Sequence, residues 1–383
     1  MTAQYDVVVA GGGPVGAAAA LELKAAGLSV LLIEAREGGM APGGGFRPLA
    51  LSHGSRLILE RLGVWDRLAP ATPIQRIHVS QRGRFGRTVL DAAEAGFAAL
   101  GYVLDYGALV EMLDAAVAKA GVPTLHGTHA TSIAHDAASA RVDYEGPGGA
   151  GECIASVVVI ADGTAEVTGI DVRVTDYGQS ALVARIGTDL GHGNMAYERF
   201  TPEGPVALLP YEDGYALVWT TYPERAEALC GAPPEAFLSH LQAHFGERAG
   251  RFTAVSARSV QPLKLRVASG TTFGRAALIG NAAQALHPVA GQGFNLGLRD
   301  AWELAAEIEK RGVQDPAPLS GYRARRRIDR AGGIAFTHAL VKVFSNDHAA
   351  LGLARGLGLT LVDSLPPVKD FVVRRLVFGA RGT

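Results

Sequence analysis

Cysteine is nearly absent. Cys153 and Cys230 are the only two in 383 residues, far apart and in no metal-ligand spacing, so no metal centre is expected and a reduced, cytoplasmic compartment is the simplest setting. An excess of one charge is also missing. The 36 basic and 37 acidic residues nearly cancel, which removes the electrostatic case for nucleic acid. No basic segment followed by an apolar one opens the sequence, so no signal peptide is expected, and no run is long and apolar enough to cross a bilayer. Internal repeats and low-complexity tracts are lacking too.

What is present fits a folded enzyme of two or three structural units that needs no covalent staples. Hydrophobic residues make up 48% and charged residues 19%. The mean hydropathy of +0.16 leaves room for a greasy site or a membrane-facing surface.

The first forty residues read strand, turn, helix, strand. Asp6–Ala10 is a short apolar run, Val15–Ala26 is alanine-rich without a breaker, Gly27 ends it, and Ser29–Ile33 is a second apolar run closed by Glu34. This is a βαβ opening and implies a parallel sheet. A glycine-rich loop is expected over Gly38–Gly45, a helix over Pro48–Leu62, strand from Ile74 to Leu90 and a helix over Tyr106–Ala120. Val157–Ile160 and Ala276–Ile279 read as buried strands. Ala181–Ile186, Val206–Leu209 and Tyr215–Thr221 read as strands of a second, antiparallel sheet. Leu298–Lys310 has a strong helical pattern, and the chain beyond Tyr322 looks mainly helical. The five arginines of Arg323–Arg330 are expected on the solvated face of a helix.

Gly11-Gly12-Gly13-Pro14-Val15-Gly16 fits G-x-G-x-x-G between a strand and a helix, the context that makes the motif informative. Gly11 allows the tight turn, Gly13 lets the backbone approach a pyrophosphate, and Gly16 lets helix and strand pack closely. The helix that follows, opened by Pro14 and Val15, offers N–H groups and a positive dipole end to phosphates. Glu34 stands where an acid accepts ribose hydroxyls, and Arg36 is grouped with it. This loop alone does not separate FAD from NAD.

A second glycine-rich segment runs from Ile279 to Ala301. A strand ends at Gly280, Asn281 follows where it can bond a ribityl or ribose hydroxyl, and Gly291 and Gly293 open a helix whose start can stabilise negative charge on a reduced flavin. Two such loops fit a long, folded-back ligand. This segment resembles the second FAD-binding motif of the class A flavoprotein aromatic hydroxylases. Within them it is similar to the ubiquinone-biosynthesis hydroxylase family, with wording most like the 2-octaprenyl-6-methoxyphenol hydroxylases. Arg47 with Ala50-Leu51-Ser52 and Gly54-Ser55 resembles the family's arginine-containing helix near the FAD pyrophosphate, and Ala161-Asp162-Gly163 its middle Asp-Gly motif. Asp176–Gln179 and Gly204–Pro210 resemble its substrate-domain strands, so the likeness covers nearly the whole chain. Phe46 stands where the family often has an acid, and Thr164–Val167 replaces its usual Ser-x-x-Arg.

The resemblance implies an α/β fold: a doubly wound, Rossmann-like, GR2-type FAD-binding domain (residues 1–72, 98–175 and 262–330). An inserted antiparallel β-sheet substrate domain (73–97 and 176–261) and C-terminal helices (331–383) complete it. Its cofactor sites map to Gly11, Gly13, Pro14, Val15, Gly16, Glu34, Arg36, Arg47, Asp162, Gly280, Asn281, Gly291, Gln292, Gly293, Asn295 and Leu296. His287 and Pro288 are named as flavin environment and not as an obligatory base. The implied reaction is hydroxylation of a polyprenylated phenol by O2 through a flavin C4a-hydroperoxide. Electrons would come from NAD(P)H or a protein donor, and no acid–base–nucleophile triad is needed. The family setting leaves open a ubiquinone-biosynthesis complex and peripheral contact with the inner membrane. Phe371–Phe378, apolar with two arginines, is as well suited to a membrane surface or partner as to docking on the chain's own core. An FAD-dependent reductase of an isoprenoid, or a non-catalytic FAD-binding scaffold, are the other classes. A flavin halogenase is disfavoured because Trp65, Trp219 and Trp302 form no Trp-x-Trp pair.

Overall fold

The structure, a computed structural model, describes residues 2–38, 45–68, 71–163, 169–287, 291–315, 317–344 and 349–379. Most of the Gly38–Gly45 loop, Thr164–Val167 and Pro288 lie outside the described residues.

Five parallel strands form the core of the first sheet, in the order Ala276–Leu278, Gly149–Ile160, Ala3–Ala10, Val30–Glu34 and Thr124–His126. Val7 to Val9 and Val157 to Ile160 are fully buried, as strands covered on both faces must be. The helix Pro14–Ala25 begins with proline in its first turn, where the missing N–H costs nothing. It ends at Gly27 (φ +82°) with Gly27 N–H donating to Lys24 O and Leu28 N–H to Leu23 O, a paired closure that satisfies the last carbonyls. Ala17 to Ala20 have no exposed surface, and their small side chains seat the helix on the sheet.

The second sheet is mainly antiparallel. Ser259–Ala268, Val172–Thr188, Gly214–Thr221, Gly204–Tyr211 and Met195–Thr201 follow in order, and Arg76–Gln81 joins Met195–Thr201 in parallel before pairing with Arg87–Asp91. One face is covered by helices Pro223–Gly231 and Pro234–Phe245. Trp219, Phe237, Leu241 and Phe245 pack there with Leu182, Leu208 and Leu217. The sequence reading left both helices unassigned, although each begins with a proline that can sit at a helix start.

Two expectations are corrected. Pro48–Leu62 is not one helix. Pro48–Ser52 is a strand paired antiparallel with Gly101–Asp105, and the helix is His53–Arg61, with Ser52 as its N-cap accepting from Ser55 N–H at 3.2 Å. Cross-strand pairing overrides the helix preference of Leu-Ala-Leu, and the serine marks the boundary. Nor do the arginines of Arg323–Arg330 all face solvent. Arg326 is fully buried in the helix Ser320–Phe344 and meets Asp300 of the helix Gln292–Arg311 at 2.6 Å and Asp329 at 2.6 Å. Burial pulls the guanidinium's pKa down, but Asp300 and Asp329 outweigh it and hold Arg326 above its ordinary value. The second oxygen of Asp300 accepts from Gly280 N–H at 3.0 Å and from Gln284 Nε2 at 2.8 Å.

The C-terminal helix Pro366–Phe378 docks on the chain's own core: Val373 and Val377 are buried against Leu90, Ala92 and Leu100, and Phe378 meets Phe97 edge-on at 5.5 Å. Among the described residues no helix is long and apolar enough to cross a membrane.

Replacing Arg326 by leucine leaves the buried Asp300 without its cation and Asp329 with Arg299 alone, so the protein loses about 3–5 kcal/mol of stability. Arg141→Ala at the solvated Arg141–Asp143 pair costs under about 1 kcal/mol. Urea denaturation of both variants checks this, and equal losses would contradict it.

Candidate functional site

Three stretches far apart in sequence converge at the ends of the parallel strands. Gly11 adopts φ +104°, and a Cβ there would stand 2.5 Å from the Ala161 carbonyl carbon and from Asp162 N. A Cβ on Gly16 would lie 1.9 Å from Gly11 O, so only glycine lets the helix begin this close to the strand. Gly13 differs. Its backbone is extended (φ −61°) and a Cβ would meet nothing within 4 Å, which leaves open space in front of a helix end that no side chain caps. The Asp162-Gly163 turn is exposed beside Asn281, whose Cβ is 3.8 Å from the Cβ position of Gly163.

Glu34 is buried and its carboxylate braces the loop. One oxygen accepts from Gly12 N–H at 2.5 Å; the other accepts from Arg36 N–H at 2.7 Å and Arg36 Nε at 3.0 Å. Arg36 also donates to Gly12 O at 3.1 Å and to Asp114 at 3.1 Å. Arg36 therefore fixes the carboxylate's orientation.

The second glycine segment meets the first at Val15. Cβ atoms built on Gly280 and Gly297 would come within 3.1 and 2.8 Å of the Val15 side chain. Gly291 takes the left-handed conformation (φ 60°, ψ 22°) and opens the helix Gln292–Arg311, which no side chain caps. Gln292 and Gly293 are half-buried at this helix start. Asn295 holds the geometry. Its Oδ1 accepts from Ser52 N–H at 2.8 Å and Ser55 Oγ at 2.6 Å, and its Nδ2 donates to Ala50 O at 2.9 Å and Gly291 O at 2.7 Å. Those four bonds use up the amide, so the Asn295 side chain holds backbone in place, and Leu296 beside it is buried. Arg47 is exposed, with its guanidinium 4.6 Å above the Tyr106 ring.

His287 is buried with its ring edge-on to Tyr177 at 5.4 Å, and burial lowers its pKa to about 4. Burial thus favours the neutral imidazole over the imidazolium at physiological pH.

The face of the antiparallel sheet opposite the helices Pro223–Gly231 and Pro234–Phe245 turns toward these loops, with the C-terminal helices packed on its Ile77 and Leu90 edge. Ala196, Tyr211 and Ala216 pack with Val103, Ile74, Phe46 and Ala50. Phe46, unlike the acid common in the resembled family, stacks on Tyr211 at 5.0 Å and under the Arg185 guanidinium. Across this face Val79, Glu198, Ala207, Val218 and Val183 are directly paired and all half-buried, so they form one row. Glu198 is its single polar member. The residue keeps some exposure, yet its Oε1 is buried without a hydrogen-bond partner among the described residues, and burial pushes the carboxyl pKa up to about 7. Sequence reasoning passed over Glu198, though the alternation Ala196-x-Glu198-x-Phe200 places an acid on the buried side of a strand.

With two glycine loops joined through Val15 and an acid-braced turn, the comparisons become decisive: the FAD binding domain family matches residues 4–331. The chain belongs to that family. Its cofactor is FAD, and it is a flavoprotein oxidoreductase. It is 34% identical over 384 residues to the ubiquinone hydroxylase UbiL of Rhodospirillum rubrum, covering 96% of this chain and 88% of that protein. It is 31% identical over 376 residues to the 3-demethoxyubiquinol 3-hydroxylase of Escherichia coli, covering 92% and 93%. In fold it is similar to p-nitrophenol 4-monooxygenase PnpA from Pseudomonas putida (TM-score 0.80, 19% identity, all of both chains). The Rossmann-like parallel sheet with a separate antiparallel sheet is thus the expected architecture.

The open space at Gly13 is a cradle that a side chain would fill. Gly13→Val leaves the unfolding midpoint of the cofactor-free protein unchanged and reduces FAD retained on purification at least about tenfold, since displacing a bound group costs its contacts. Full FAD content in the variant would move the pyrophosphate elsewhere. For His287 the folded pKa of about 4 lies below the ordinary 6.5. Stability from the neutral imidazole is complete above pH 6.5 and is lost as pH falls toward 4, because the unfolded chain binds the proton first. Urea midpoints across that window fall less in His287→Asn than in the unaltered protein; parallel curves would refute this.

Proposed function

We propose that this chain is an FAD-dependent monooxygenase that hydroxylates the aromatic ring of a polyprenylated phenol in ubiquinone biosynthesis. The observation that carries the reading is the opposition of two joined FAD loops to a half-buried, apolar sheet face. The names of the two relatives point to the substrate class.

Gly11, Gly13, Pro14, Val15 and Gly16 would cradle the pyrophosphate with Arg47, and Glu34, oriented by Arg36, would meet the ribose. Asp162, Gly280 and Asn281 would hold the middle of the cofactor. Gly291, Gln292 and Gly293 would present a positive helix end to the ring's pyrimidine side, with Asn295 and Leu296 securing the backbone. Bound FAD, once reduced by NAD(P)H or a protein donor, supplies oxygen activated at flavin carbon C4a. The chain positions the phenol, keeps water out and sets the local charge. We assign residues 73–97 and 176–261 to substrate binding and place the prenyl tail between the antiparallel sheet and the C-terminal helices. The Ser320–Phe344 helix runs against the Gly204–Tyr211 strand there, and the Ala349–Ser364 helix against Arg87–Asp91. His287 and Pro288 would line the flavin loop without carrying a proton.

We further place the enzyme in the cytoplasm, in peripheral contact with the inner membrane and open to a biosynthetic complex. Leu353, Leu357 and Leu361 recur every four residues on one exposed helix face, with Leu365 and Phe371 beyond them, a pattern that suits an interface with lipid.

The test follows the purified protein's absorption under anaerobic reduction, then on admitting oxygen with a prenylated phenol present. The expected outcome is a flavin spectrum, reoxidation by oxygen and one added oxygen on the ring by mass spectrometry. Flavin that is reduced but leaves the phenol unchanged favours the isoprenoid reductase or the scaffold.

A further inference from the structure

Glu198 is the acid in an apolar row of the antiparallel sheet face; Gln81, Thr88 and Thr220 share the face, and its other charged and titratable groups, Arg185 and Tyr211, pack on Phe46. Its own strand places Ala196 and Phe200 on the same face, and the adjoining strands contribute Val79 and Ala207, with Val218 and Val183 beyond. None of these can titrate. A carboxylate so placed, with a buried oxygen that has no hydrogen-bond partner among the described residues, is costly unless a bound molecule completes it. The other face of the sheet is closed by helices, so Glu198 addresses the side from which Ala50 and Gly291 of the flavin loops approach, the Ala50 Cβ lying 3.1 Å from the Cβ position of Gly291.

We propose that Glu198 is the proton acceptor for the substrate's ring hydroxyl. The inference rests on the phenol hydroxylase reading above and assigns that reading a base. The hydroxyl O–H donates to Glu198 Oε1, and its proton passes to that oxygen. The carboxylate becomes a carboxylic acid and the phenol a phenolate. The electron pair left on the ring oxygen delocalises to the ortho and para carbons, which then receive the electrophilic oxygen. The acid returns the proton to the product's oxygen as it leaves. Burial that pushes the carboxyl to about 7 suits it to exchange a proton near neutrality.

The experiment compares FAD-loaded Glu198→Gln and Glu198→Asp with the unaltered enzyme on two substrates. One is a prenylated phenol that is neutral at assay pH; the other is its fluorinated analogue, already ionised there. Glutamine keeps the size and polarity of the side chain but accepts no proton. E198Q retains its flavin content, loses about 100-fold or more in kcat on the neutral phenol, and loses less than about tenfold on the ionised one; E198D recovers part of the loss. Equal losses on both phenols would make Glu198 a structural group and overturn the assignment, as would a loss under about threefold on the neutral one. If the unaltered enzyme hydroxylates neither phenol, the phenol hydroxylase reading falls and takes this one with it. Activity of the unaltered enzyme with no selective effect in E198Q removes the base alone.

Discussion

The buried pairing of Asp300 with Arg326 holds the site's second half in place. One carboxylate ties together a helix that leaves the flavin loop, a helix from further along the chain, and the backbone of Gly280 where a core strand ends. Arg326 spreads the same restraint to Asp329 and to Leu296 O, and Arg330 bonds Gln284 Oε1 and the Ala283 carbonyl. Such a cluster adds little net stability over an apolar core of equal shape. What it does is allow one arrangement of helix against loop, and the placement of Gly291 and Gly280 inherits that restriction.

Around this restraint the two halves of the site use opposite means. On the cofactor side, side chains are removed: Gly11, Gly16 and Gly297 sit where any Cβ would strike a neighbour, so backbone amides and a helix end face the ligand. Polar side chains there, such as Asn295 and Glu34, are mostly spent on holding backbone. On the sheet side, the surface is built of valine and alanine with one acid. The first half presents bare backbone; the second presents an apolar row with one acid in it.

Both glycine loops, the parallel sheet and several of the antiparallel strands were legible in the sequence, because glycine spacing and apolar runs of strand length are local signals. The features that escaped are set by tertiary context. Pro48–Ser52 reads as helix by propensity and becomes strand by pairing with Gly101–Asp105. Arg326 reads as a surface charge among five arginines until the helix carrying Asp300 is known to lie beside it. The partners of Asn295 at Ala50, Ser52 and Ser55 cannot be guessed from local pattern. Glu198 was visible only as a parity violation in a strand.

The contact of Val15 with Gly280 and Gly297 has a consequence for the order in which the molecule is made. The first glycine loop leaves the ribosome long before the surfaces that complete it, since Gly280 and Gly297 follow Val15 far along the sequence. At ordinary rates of synthesis the interval is on the order of tens of seconds, during which the early βαβ unit has no partner for its valine. The paired cradle is complete only once the Gln292–Arg311 helix has emerged, and a chain stalled short of it would carry the first glycine loop with its apolar wedge exposed.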